Sequence, residues 1–149
     1  MGIQNKALVV TALSLIIILP IVWFFTRSAG TPAQPKVEVK GAGGEVKVND
    51  PRSNPSAVLS PQDVVVKKTN RYEILYYAYQ EESFLISITD GVDPQGARAV
   101  AEKDFLTTLG VNEADACKLN VSLTVPRYAN QELAGVDYGL SFCPNGKMF

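Results

Sequence analysis

Hydrophobic and polar positions divide the 149-residue chain into three stretches of different character. Residues 7–25, ALVVTALSLIIILPIVWFF, carry no charge and lie between Lys6 and Arg27. At a helical rise of 1.5 Å per residue, about 20 residues cross about 30 Å, the thickness of a bilayer core. Trp23, Phe24 and Phe25 fall at one end of the run, where an interfacial aromatic belt belongs. The pattern predicts a transmembrane helix within an N-terminal anchor over residues 1–27, with the lipid bilayer as partner through residues 7–25. A buried core helix fits poorly, because the run has no polar face. A signal peptide cleaved after Ser28-Ala29-Gly30 is the alternative. Its apolar core would run about 7–15 residues, shorter than the one here.

Residues 28–63 read as a flexible linker. This stretch is rich in proline and glycine and has no aromatic residue. A disordered tether is expected, because such a composition cannot bury enough apolar surface to fold alone. Its pieces KVEVK and EVKVN alternate in strand fashion.

From Val64 the apolar pattern strengthens, and residues 64–149 are expected to form a small α+β domain. Residues 71–89, RYEILYYAYQEESFLISIT, give two strand-like runs around a polar turn at Gln80–Ser83. That spacing pairs Tyr79 with Phe84 and Tyr77 with Ile86. A helix follows, with Asp93 as N-cap, Pro94 at its first position and Gly110 as its stop. Ala97, Val100, Ala101, Phe105, Leu106 and Leu109 recur along it at helical spacing. Asn112 and Asp115 mark a second short helical turn. Leu119, Val121, Leu123 and Val125 alternate with polar residues until Pro126, and Val136, Tyr138, Leu140 and Phe142 alternate again. The order ββαββ predicts a mostly antiparallel four-stranded sheet packed by one helix.

Charge and composition narrow the chemistry. Net charge is −1, which gives no bulk attraction to nucleic acid. The chain has no histidine, so the commonest general base and transition-metal ligand is missing. Two cysteines alone cannot complete a four-ligand structural zinc site. No catalytic residue, metal site or cofactor is expected, and the spacing of a calcium loop, a nucleotide loop or a nucleophile elbow does not occur.

Cys117 and Cys143 are the only cysteines. If the last two strands form a hairpin with Val125 opposite Val136 and Leu119 opposite Phe142, the same register brings both cysteines to its open end. Three readings stay open: a structural disulfide, two buried thiols, or a redox pair. The last lacks a flanking histidine and a CxxC spacing. Tyr72, Tyr76, Tyr77 and Tyr79 crowd one segment and must point to both faces of a sheet. Those away from the helix are a candidate surface for another envelope protein or a glycan; cross-strand packing is the plainer account. Glu81, Glu82, Asp90, Asp93, Glu102 and Asp104 read as solvated faces and a cap, with a carboxylate-based enzyme as the alternative. Asn120-Val121-Ser122 matches a glycosylation sequon inside a strand pattern.

The segment Asp104–Cys143 carries Phe105-Leu106, Leu109-Gly110, Ala116-Cys117, Leu119, Val125-Pro126 and the run Gly139-Leu140-Ser141-Phe142-Cys143. It resembles uncharacterised bacterial proteins with one N-terminal membrane helix, a variable linker and a small C-terminal domain. The resemblance implies a shared small domain and no particular activity. The expected protein is a single-pass cell-membrane protein, N-terminus cytoplasmic and domain extracytoplasmic, serving binding or assembly at the envelope. A thiol- or carboxylate-based enzyme and a secreted domain are the alternatives.

Overall fold

The computed structural model describes residues 34–79 and 81–149. The expected anchor over residues 1–27 lies outside the described residues. Among the described residues, no helix is long and apolar enough to cross a membrane. The elements run β1 (Lys36–Gly41), β2 (Gly44–Asn49), β3 (Ala57–Val58), β4 (Val64–Lys68), β5 (Tyr72–Tyr77), β6 (Ser83–Ile88), α1 (Pro94–Leu109), α2 (Glu113–Ala116) and β7 (Val121–Thr124). Strands β3-β4-β5-β6-β7 form one sheet in that order, and β1-β2 form a separate hairpin. Every pairing is antiparallel except β6 with β7, which are parallel and joined by the crossover through α1. Among the described residues the fold is therefore α+β with one main helix, but its larger sheet has five strands and not four.

Strands β5 and β6 alternate strictly between buried and half-buried positions. Tyr72, Ile74 and Tyr76 from β5 join Phe84, Ile86 and Ile88 from β6 on the inner face. Helix α1 covers that face with Ala97, Ala101, Phe105 and Leu109, at helical spacing. The Phe105 ring meets Phe84 edge-on at 5.2 Å. Both helix ends are built as their residues dictate. Asp93 accepts a bond from the Gly96 N–H at 2.9 Å, and Gly110 closes the helix at φ 64°. Asn112 caps α2 by accepting from the Asp115 N–H at 2.8 Å.

Three expectations are corrected. Residues 36–49 are a hairpin and not a disordered linker: Val39, Val46 and Val48 are buried in the core. The segment's own composition is too poor to fold alone, and the domain supplies the missing apolar partner. Its tip lies flush on the chain before β7. A Cβ at Gly41 would sit 2.0 Å from the Lys118 carbonyl oxygen, so only glycine permits that approach. Gly43 N–H donates to the same oxygen at 2.9 Å.

The β5–β6 register also differs. Tyr76, not Tyr79, faces Phe84, and Tyr77 faces Ser83. The strand stops early because the Asp63 carboxylate takes the Ala78 N–H at 3.1 Å and Glu82 turns back to Tyr76. Finally, the last two alternating runs do not form a hairpin. Residues 136–142 have no strand structure. One main-chain bond, Tyr138 N–H to Leu123 C=O at 2.8 Å, is what the expected ladder retains. Asp137 replaces the rest: its carboxylate accepts from Leu123 N–H, Gly139 N–H and the Ser122 hydroxyl. Gly139 at φ 59° then turns the chain out of extended geometry.

Candidate functional site

The densest side-chain chemistry gathers where residues 137–149, hereafter the strap, lie against α1 and β7. Arg98 and Glu102, one helical turn apart, are both buried and bonded at 2.9 Å. Arg98 also donates to the Lys147 carbonyl at 2.7 Å and the Gly139 carbonyl at 3.0 Å. Glu102 accepts from the Ser141 N–H at 2.7 Å and from the Ser141 hydroxyl. The guanidinium lies 4.9 Å from the Phe149 ring centroid, and that ring packs edge-on against Tyr138 at 4.6 Å. Each charge thus reads main-chain groups of the strap, which satisfies the pair in a place water does not reach.

A disulfide joins Cys117 to Cys143 beside this network, with Cα atoms 5.5 Å apart. Of the three readings, the cross-link is the one observed. Its thiols are consumed, so neither cysteine stands as a free nucleophile.

The four tyrosines separate. Tyr72 and Tyr76 are 2% and 0% exposed and belong to the core beneath α1, which removes them from any partner surface. Their hydroxyls reach the rim of the core, Tyr72 donating to Asp104 and Tyr76 to Glu82 at 2.7 Å. Burial, then the hydrogen bond to each carboxylate, pushes both phenols above their ordinary value. Tyr77 is half-buried on the opposite face of the sheet with Leu75 and Leu85, and Tyr79 stands 70% exposed.

The carboxylates are likewise engaged. Burial works against ionised Asp104, yet bonds from Lys67, at 2.6 Å, and from Tyr72 hold its carboxyl below the ordinary value. Asp90 is lowered by the Asp93 and Val92 N–H groups and by Arg71, whose guanidinium also bonds Asp93 at 2.8 Å. This network ties the start of β5 to the start of α1. Glu82 accepts the Lys40 N–H at 2.8 Å as well as the Tyr76 hydroxyl. The sequon asparagine is occupied too: Asn120 donates to the Glu82 carbonyl and accepts the Ala42 N–H. These last contacts floor a cleft of about 460 Å³ lined by Lys40, Gly41, Ala42, Glu81, Glu82 and Asn120.

The Arg98–Glu102 pair was missed by sequence reasoning. The available signal was positional: residues 98 and 102 each follow a core alanine, 97 and 101, so they share the flank of the buried stripe. No family model, curated protein or solved structure matches the chain.

Proposed function

We propose that this chain is a membrane-anchored, extracytoplasmic binding or assembly module of the cell envelope. The observation that carries the reading is the Cys117–Cys143 disulfide, in a domain that follows an uncharged 19-residue apolar run. Disulfides persist in oxidising compartments, and such a run is long enough to anchor the chain. The engagement of both cysteines with each other, and of the Asp and Glu pairs described above with internal donors, favours binding over thiol or carboxylate catalysis. The partner surface is the sheet face away from α1, where Leu75, Tyr77 and Leu85 keep part of their area in water and Tyr79 stands beyond them. A protein partner suits that apolar and aromatic face.

The test is made in intact cells carrying the full chain. A membrane-impermeant thiol reagent is applied after reduction and unfolding, and a photo-crosslinking residue is placed at position 77 or, as control, at the fully exposed position 92. We expect labelling from outside, a mass that retains residues 1–27, and a protein adduct from position 77 alone. Labelling only after lysis would overturn the location, a shortened mass would make it a secreted domain, and equal adducts from both positions would remove the sheet face.

A further inference from the structure

We propose that the Cys117–Cys143 disulfide is a redox-operated lock on the strap. A dithiol reductant then releases residues 137–149 from the sheet edge while the rest of the domain stays folded. The strap is fastened differently from every strand. β5 and β6 share a six-residue ladder, whereas the strap gives β7 one main-chain bond, Tyr138 to Leu123. Its other holds are side-chain contacts: Asp137 on Ser122 and Leu123, Arg98 on Gly139 and Lys147, Glu102 on Ser141. From it Tyr138, Leu140 and Cys143 are buried in the core, and Phe142 and Phe149 pack against its edge half-exposed. Most of the core between the sheet and α1 comes from their own residues, Tyr72 to Leu109, to which the strap adds its edge.

The segment before the strap supplies the pivot. Residues 131 and 132 are exposed turn, and Gly135, at φ 81°, has no neighbouring atom within 4 Å of where a Cβ would stand. The lock itself is reachable, because Cys117 is only half-buried. A thiolate of the reductant attacks one sulfur and forms a mixed disulfide. The reductant's second thiol then displaces it. Two electrons and two protons pass to the cysteines, which become thiols, and the reductant leaves as a disulfide. Arg98 and Glu102 keep each other as partners after release, so no unpaired charge forces the helix apart. The released edge presents the Leu123 N–H and C=O to an incoming extended chain.

Hydrogen exchange read by mass spectrometry on the full-length protein in detergent tests this, with and without dithiothreitol. With the cross-link intact, Cys143 is fixed beside Cys117; once it is cut, the 26-residue separation along the chain is the tether that remains between them. Reduction should speed exchange in peptides covering 137–149 by roughly a hundredfold. Peptides covering β5, β6 and α1 should not change. The Cys117→Ser/Cys143→Ser variant should show the same pattern without reductant and no response to it. Unchanged strap protection after complete reduction would overturn the proposal. So would acceleration spreading evenly through β5, β6 and α1, because the bond would then hold the whole fold and not a latch.

Discussion

Arg98 is a guanidinium with 1% of its surface in water, and its surroundings show how its burial is compensated. One carboxylate and two carbonyls take its donors, so neither desolvated group is orphaned. Replacing one member should therefore cost more than replacing both. Arg98→Met leaves Glu102 buried without its counter-charge and should destabilise the domain by about 3–5 kcal/mol in urea unfolding. Arg98→Met with Glu102→Leu should recover part of that loss, and an additive loss would contradict the pair's mutual dependence. The Lys67–Asp104–Tyr72 cluster gives a pH signature with two signs. Asp104 is lowered from an ordinary 3.8, so its contribution is complete well above that value and is lost as pH falls through its lower folded value. Tyr72 is raised from an ordinary 10.0, so its contribution is complete below that value and is lost as pH climbs past it. Denaturation midpoints measured across pH should fall at both ends, and Tyr72→Phe should flatten the alkaline limb. An unaltered alkaline limb in that variant would mean that Tyr72 does not carry it.

Among the elements, α1 was legible from residues 93–110 alone because its signals are local: a capping aspartate, a proline at its first position, a four-residue apolar repeat and a stop glycine. β5 and β6 were legible as strands, but their register was not. A side chain from far away, Asp63, captures the Ala78 N–H and ends β5, and no pattern within residues 71–89 encodes that. β4 shows a continuous valine run instead of an alternation, and its bulge between Val65 and Lys67 breaks the period further. The strap kept the expected alignment, Leu123 against Tyr138, yet lost its ladder because Asp137 competes for the β7 main chain. The cysteine pair followed from that alignment, whereas the Arg98–Glu102 pair depends on the strap lying across the helix. The hairpin tip gives the element-scale prediction. A methyl at Gly41 meets the Lys118 carbonyl and the Leu119 Cα at 2.0 and 2.5 Å, both backbone atoms that cannot rotate away. Gly41→Ala should cost about 1–3 kcal/mol in chemical denaturation. A variant as stable as the parent would show that the tip does not depend on this contact.

At the scale of the whole molecule, the boundary of the folded unit is what the structure changes most. The composition of residues 28–63 describes a tether, yet residues 34–149 cluster as one unit. Val39 and Val48 have no exposed surface and Val46 has 5%. Each buried valine is worth about 1.5–3 kcal/mol relative to exposure. The hairpin adds the Ala42 bond to Asn120, the Gly43 bond to Lys118 and the bond from Asn49 to the Thr108 carbonyl near the end of α1. Domains of this size have about 5–15 kcal/mol of net stability, so three such valines are a large share of it. A chain beginning at Val64 also uncovers the apolar surface that those valines cover. With the disulfide oxidised in both, a chain of residues 34–149 should melt in one cooperative transition. A chain of residues 64–149 should melt far lower or without cooperativity, and should bind a hydrophobic dye. The measurement is a circular dichroism melt of the two chains side by side. Equal midpoints would mean that the hairpin rests on a domain complete without it, and residues 34–63 would return to the tether.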